Sequence, residues 1–204
     1  MIESASSPEF LFTARRPVES EWILGVDLGQ SRDHTAFALL ERRVRQELVG
    51  DGVVATGYRT ATELVLKDVR RVGLGTSYLE VAKAVRATRD RFRERGRFTV
   101  VVDATGVGAA VLDLLRSELR DGLVVGVVAT GGHAVTRSEG KWCVPKEDLV
   151  AAVRVLLEKG DLVAAAGMRG RAVLEEEMMG FAERGGGRDD VVMALALACW
   201  WGRR

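Results

Sequence analysis

The chain has 204 residues, of which 47% are hydrophobic and only three are proline, so it can bury the core of one domain but not of two large ones. Its 30 basic and 29 acidic residues leave a net charge of +1, which excludes a global positive field as the means of holding a polyanion. The two cysteines lack the spacing of a zinc site or a disulfide framework, and no apolar run reaches about 18 residues. We therefore expect a reduced, cytoplasmic protein that does not enter a membrane.

The first half of the chain is typical of antiparallel strands. Residues 1–20 are polar and contain two of the three prolines, which indicates a tail or linker remnant before a single domain at 21–204. The apolar run 22–29 predicts a buried strand, and the segments 33–43 and 61–72 predict the second and third strands. Because the connections are short, we expect hairpins.

The second half changes to an alternation of helices and strands. A helix over 77–96, a strand over 98–104, a helix over 108–120 and a strand over 122–129 imply a parallel pair with a right-handed crossover. A hairpin within 131–145 and helices at 146–160, at 171–184 and from the Asp189–Asp190 pair onward complete the chain. The prediction is an α/β fold with the ribonuclease H-like order of elements: a mixed sheet of five or more strands with helices on both faces.

Acidic residues stand where strands end and where the last helix begins. Asp27 and Asp103 each close an apolar strand, and Asp189 and Asp190 open an apolar helix. A carboxylate inside an apolar strand costs several kcal/mol unless it is paired or bound to a cation, and Mg²⁺ and Mn²⁺ prefer such oxygens. We predict Asp27, Asp103 and one acid of the Asp189–Asp190 pair as catalytic metal ligands, with Asp190 favoured over Asp189. The other acid of the pair would cap the helix or support the metal site, and Asp33 is predicted as an auxiliary ligand. The alternative for each acid is an ordinary turn or helix cap.

Basic and aromatic side chains near these acids are candidates for DNA contacts. The polar segment 131–146 contains four of them, and two more lie next to the acidic motifs. Lysine and arginine neutralise phosphates without reading sequence, and tryptophan stacks on bases. The predicted contacts are Arg32, Arg137, Lys141, Trp142, Lys146 and Arg188. A solvated loop around a packed tryptophan is the alternative, and Glu175–Glu177 is interpreted as a solvated helix face.

Four segments together resemble the nuclease domain of the large terminase subunit of tailed bacteriophages and related viruses. They are GVDLGQSRDHTA (25–36), TVVVDATGVGAAVLDLL (99–115), KWCVPKEDLVAAVRVLL (141–157) and GRDDVVMALALACWW (187–201). The resemblance implies sequence-independent cleavage of double-stranded viral DNA concatemers with two Mg²⁺ or Mn²⁺ ions, in the cytoplasm of an infected host cell. It also implies a packaging ATPase domain, a portal and a small terminase as partners.

The resemblance has two departures. Arg188 replaces a histidine that often precedes the paired acids, and no G-x-x-x-x-G-K-[ST] motif occurs, so the ATPase must be another domain or chain. Two enzyme alternatives stay open: a ribonuclease H-like resolvase or other nuclease, and an actin- or sugar-kinase-like ATP phosphotransferase. The phosphotransferase is disfavoured because its fold needs two domains and leaves Asp189 and Asp190 without a role. A DNA-docking module that has lost catalysis is disfavoured by the retained acids.

Overall fold

The computed structural model describes residues 16–29, 33–50, 55–106, 109–120, 122–184 and 189–204. Within these ranges lie eight strands and five α-helices. In chain order they are β1 (Arg16–Asp27), β2 (Ala36–Gly50), β3 (Ala55–Arg71), α1 (Tyr78–Phe92), β4 (Arg97–Asp103), α2 (Ala109–Leu119), β5 (Leu123–Thr130), β6 (Thr136–Ser138), β7 (Lys141–Pro145), α3 (Lys146–Lys159), β8 (Leu162–Arg169), α4 (Arg171–Arg184) and α5 (Asp190–Gly202). None of the described helices has the length and apolarity needed to cross a bilayer.

All eight strands form one mixed sheet in the order β6-β7-β5-β4-β1-β2-β3-β8. Strands β1, β4, β5 and β7 are parallel neighbours, whereas β2 pairs antiparallel with both β1 and β3. The chain therefore makes the predicted antiparallel β1–β2–β3 unit and continues through the predicted parallel β4–α2–β5 unit. The α/β, ribonuclease H-like prediction is confirmed, with the sheet widened to eight strands by β6, β7 and β8.

The sheet separates two apolar cores, and β1 contributes to both. Because successive strand residues face opposite sides, Trp22, Leu24 and Val26 pack with α1 and α2, while Ile23 packs with α3 and α5. Helices therefore cover both faces, as predicted. By the same alternation, Asp27 is directed to the side that α5 covers.

Strand β4 repeats this arrangement beside β1. Val100 and Val102 belong to the core under α1 and α2, and Val101 belongs to the core under α3 and α5. Asp103 follows Val101 by two residues and shares its face. The period of two thus brings the acids that end β1 and β4 to one edge and one face of the sheet.

A glycine in β1 lets α5 lie against the strand. A Cβ atom on Gly25 would stand 1.9 Å from the carbonyl oxygen of Ala194, so no larger residue fits without moving the helix. Asp27 lies two residues beyond Gly25, or about 7 Å along the strand, and Asp190 lies four residues before Ala194, or about 6 Å along the helix. Both carboxylates therefore lie at a similar distance from the Gly25–Ala194 contact, which places Asp27 and Asp190 next to each other.

Three sequence expectations differ from the structure. Strand β1 begins at Arg16, inside the predicted tail, because its backbone pairs with β2 from Arg16↔Gln46 onward. The β2–β3 hairpin is longer than predicted, reaching the Gly50↔Ala55 pair. Strand β8 is not predicted at all, because it is an edge strand whose side chains are mostly exposed and whose centre is an alanine run.

Candidate active site

Four aspartates converge at the carboxyl edge of the parallel strands. The pKa of Asp27 is raised from 3.8 to about 8, first by burial of the carboxyl group and then by the negative charges of Asp103, Asp190 and Asp189. Lys146 acts in the opposite direction and lowers this pKa. The predicted strand-end and helix-start acids therefore share one poorly solvated space.

Asp103 combines burial with a specific hydrogen bond. Burial raises the pKa of its carboxyl group, and the charge of Asp189 adds to this effect. Hydrogen bonding to Thr105, whose backbone N–H donates to Asp103 Oδ1 at 2.7 Å, lowers the pKa, as does Lys146. The turn after β4 is itself fixed, because the N–H of Ala129 donates to Thr105 Oγ1 at 2.9 Å. Asp103 is thus held in place by its own strand-end turn.

Lys146 supplies the positive charge at this edge. It is the first residue of α3, and its Nζ lies 2.9 Å from Asp189 Oδ2. About half of the Lys146 side chain is solvent-accessible. The sequence predicted Lys146 as a phosphate contact, and the structure places its ammonium group directly beside the acids.

The N-terminus of α5 is capped by a residue from a different helix. Glu177 of α4 accepts hydrogen bonds at Oε2 from the backbone N–H groups of Val191 at 2.9 Å and Val192 at 3.1 Å. Asp189 makes no side-chain capping hydrogen bond to α5. Of the two roles predicted for the second acid of the Asp189–Asp190 pair, the capping role is not seen, because Glu177 already occupies the two N–H groups that such a cap would use. A supporting role stays a prediction.

Glu177 also corrects the interpretation of Glu175–Glu177 as a solvated face. Glu177 is only 5% exposed, and its Oε1 accepts a hydrogen bond from Nη2 of Arg71. Arg71 ends β3, and its Nε lies 3.7 Å from Asp190 Oδ2. Arg71 and Glu177 are thus the site residues that sequence reasoning missed. The position of Arg71 at a strand end was a usable signal, but no local pattern links Glu177 to a helix 14 residues later.

Asp33 stands apart from the four clustered acids. Its side chain is exposed and lines a cavity of about 330 Å³ with Gly29, Gly73 and Ser77. None of the four clustered aspartates lines that cavity. The auxiliary role of Asp33 stays a prediction.

The six predicted DNA contacts do not form one group in the structure. Arg32 and Arg188 lie outside the described residues. Trp142 is half-buried, with the guanidinium carbons of Arg137 and Arg204 at 4.4 and 4.2 Å from its ring centroid. Its ring also meets Trp200 edge-on at 5.8 Å between centroids. Trp142 is therefore packed, as the alternative interpretation held, within a layer of aromatic and guanidinium groups.

This layer is separated from the acids. Trp142 precedes Lys146 by four residues, or about 13 Å along β7. Lys141 lies at the start of β7, and its Nζ is 3.9 Å from Glu139 Oε2. Of the six predicted DNA contacts, only Lys146 is shown beside the acids in the described part of the chain.

The donor set suits a hard divalent cation. Within the described ranges, no three carboxylate, imidazole or thiol groups lie close enough together to form a closed metal cage. Even so, the converging groups are all carboxylates, and burial and mutual repulsion disfavour the charged form of Asp27. A divalent cation would remove that repulsion, and Mg²⁺ or Mn²⁺ would retain water in the remaining coordination positions. Asp27, Asp103 and Asp190 are the residues that fit this role.

Comparison with known proteins identifies the fold. No family model matches the sequence, and no curated protein matches it either. Among solved structures, the human cytomegalovirus terminase nuclease domain soaked with Mn is 14% identical, covers 87% of this chain and 81% of its own, and has a TM-score of 0.55. The large terminase nuclease of the thermophilic phage G20c with bound zinc is 23% identical, covers 94% and 90%, and has a TM-score of 0.53. The chain has the fold of these domains, and the resemblance seen in the sequence is confirmed at that level.

Proposed function

We propose that this chain is the nuclease domain of a terminase large subunit, a metal-dependent endonuclease that cleaves double-stranded viral DNA concatemers during genome packaging. The observation that carries the proposal is the convergence of Asp27, Asp103, Asp189 and Asp190 in one poorly solvated space, on the fold of terminase nucleases. Mutually repelling acids in a poorly solvated space destabilise a protein, so their convergence favours a cationic ligand that compensates for them.

Asp27, Asp103 and Asp190 would hold Mg²⁺ or Mn²⁺ ions, two in number, with Asp189 and Asp33 as supporting acids. Such ions supply an activated water and stabilise the attacking and leaving oxygens of a phosphodiester. The similar cytomegalovirus and phage G20c domains were studied with Mn and with zinc, which supports a divalent cation here.

The chain's own groups orient these acids and the DNA. Arg71 and Glu177 fix the first turn of α5 and hence Asp190, and the Thr105 turn fixes Asp103. Lys146 offsets the negative charge of the acids and, being half-exposed, is available to a phosphate that approaches them. No protein nucleophile and no covalent enzyme intermediate is required.

The wider DNA path would use Arg137 and Trp142 of the guanidinium–aromatic layer, together with Lys141. Arg32 and Arg188 are further proposed contacts beside the acidic motifs. Contacts of this kind bind phosphates and base faces without reading sequence, so we expect weak, salt-sensitive and sequence-independent binding. A packaging ATPase domain, a portal and a small terminase would be the protein partners, and the infected host cell's cytoplasm the place of action.

The test is cleavage of supercoiled plasmid in Mn²⁺, Mg²⁺ or EDTA. The wild-type chain should nick and linearise the plasmid with either metal and be inactive in EDTA, and Asp27→Asn should be inactive throughout. Asp113→Asn is the matched control, because Asp113 is an exposed α2 carboxylate that pairs with nearby Arg116. Equal nicking in EDTA, or by Asp27→Asn, would contradict the proposal.

Two added substrates separate the alternatives. Strong preference for a four-way junction over linear duplex would instead favour a resolvase of the same fold. ATP hydrolysis by the pure chain would favour the phosphotransferase.

A further inference from the structure

A second cavity lies at the opposite end of the sheet from the acids. It has a volume of about 530 Å³ and lies between the middle of β1, the amino ends of β4 and β5 and the last turn of α5. Glu21 of β1 lines it, six residues or about 20 Å along the strand from Asp27. We propose that this cavity binds a nucleoside phosphate, which is a site beyond the proposed nuclease function.

The lining has a marked excess of positive charge. Four guanidinium side chains, those of Arg42, Arg89, Arg97 and Arg204, line the cavity together with one carboxylate, that of Glu21. The carboxylate of Glu21 is held by Thr99 of β4, whose hydroxyl donates to Glu21 Oε1 at 2.8 Å. Guanidinium groups make paired, charge-assisted hydrogen bonds to phosphate oxygens. A multiply charged phosphate is therefore the ligand chemistry that this lining favours.

Two of the arginines are held in place before any ligand binds. Arg42 Nε donates to the carbonyl oxygen of Gly202 at 3.0 Å, which fixes the guanidinium against the end of α5. Arg89 has only 11% of its side chain exposed, and its Nη1 lies 3.0 Å from Asp90 Oδ1. Ordered donors lose little conformational entropy on binding, so the cavity is pre-organised for an anion.

The remaining wall is apolar and includes an aromatic ring. Trp201 is half-buried in the wall, Phe98 forms part of the floor, and Leu123 is 53% exposed. A nucleobase stacks favourably on such a ring, and the volume lies within the range of small-molecule sites. Free phosphate would leave the apolar wall unused, and a duplex is too wide for a concavity of this size. The combination fits one base, one sugar and its phosphates.

The test measures binding without metal or DNA cleavage, so its outcome is independent of the nuclease proposal. We would titrate the full chain in EDTA with dAMP, dATP, deoxyadenosine and inorganic phosphate, following the indole N–H signal of Trp201 by NMR and the heat of binding by calorimetry. The signal is assigned with Trp201→Phe. Both nucleotides should shift it, and deoxyadenosine and phosphate should bind at least about tenfold more weakly than dATP.

Arginine substitutions test whether the nucleotide binds in this cavity. The double variant Arg89→Gln/Arg97→Gln should lose at least about tenfold in nucleotide affinity. Arg86→Gln is the matched control, because Arg86 lies on the same helix as Arg89, is 56% exposed and does not line the cavity. Equal affinity of the double variant and the wild type would overturn the proposal. So would phosphate binding as tightly as dATP, or no binding of either nucleotide.

Discussion

Replacing Asp27 by asparagine should stabilise the metal-free protein, and the gain should grow with pH. The folded chain raises the pKa of Asp27 from 3.8 to about 8, so between these values the native state retains a proton that the unfolded state has lost. Stability from this group is present at low pH and is lost as pH rises toward 8, with a slope of about 1.4 kcal/mol per pH unit. From pH 5 to pH 7 the limiting loss is about 3 kcal/mol, and relaxation around the carboxylate lowers the expectation to about 2 kcal/mol.

The assay is urea unfolding at several pH values in EDTA, for the wild type and Asp27→Asn. The difference in the free energy of unfolding between Asp27→Asn and the wild type should widen from pH 5 to pH 7. For Asp113→Asn, a variant of an exposed α2 residue, the free energy of unfolding should follow the same pH dependence as that of the wild type. Saturating Mn²⁺ should reverse the order of stability, because a cation favours the ionised carboxylate that only the wild type has. Parallel curves for the wild type and Asp27→Asn would refute the claim that Asp27 shares a buried space with the other acids.

Three further variants test separate contacts. Glu177→Gln removes the buried charge that pairs with Arg71 and should lower the free energy of unfolding by about 2–3 kcal/mol, measured by urea denaturation; an unchanged midpoint would mean that this pair does not hold α5. Gly25→Ala places a Cβ 1.9 Å from an α5 carbonyl and should cost about 3 kcal/mol, whereas Gly131→Ala, which meets nothing within 4 Å, should cost little; similar losses would exclude the close contact. Lys146→Gln should reduce the salt slope of DNA binding by about one in a fluorescence-anisotropy titration, and an identical slope would exclude a phosphate contact.

The acidic edge was predictable from the sequence because it depends on short-range geometry. In the runs that end in Asp27 and Asp103, alternation along a strand determines which face each acid shares, and parallel pairing brings the two strand ends together. The Asp189–Asp190 pair was recognisable as a helix start by the apolar run that follows it. The alternation of residues along the strands and the positions of the acids at the ends of strands and at a helix start therefore identified the four acids that the structure brings together.

The groups that support the acids were not predictable in this way. Glu177 lies in a run of three glutamates, and only the packing of α4 against α5 turns it inward toward the N–H groups of Val191 and Val192. Arg71 was assigned to a strand, but its partner is 106 residues away in sequence. Such pairings depend on how whole elements pack, and a single sequence carries no periodic signal for them.

The cap from α4 explains how two adjacent aspartates avoid the usual role of acids at a helix start. An aspartate that caps its own helix is held by backbone N–H groups and presents little charge to a ligand. Here Glu177 occupies those N–H groups, which leaves Asp189 to pair with Lys146 and Asp190 to act on Asp27. In the described part of the chain, Lys146 pairs with Asp189, and Arg71 lies beside Glu177 and Asp190. The pKa of Asp27 is still raised, first by burial of its carboxyl group and then by the negative charges of the neighbouring aspartates. With its pKa raised to about 8, Asp27 is largely protonated at neutral pH, and a bound divalent cation would favour its ionised form, so we expect metal binding at this edge to release a proton.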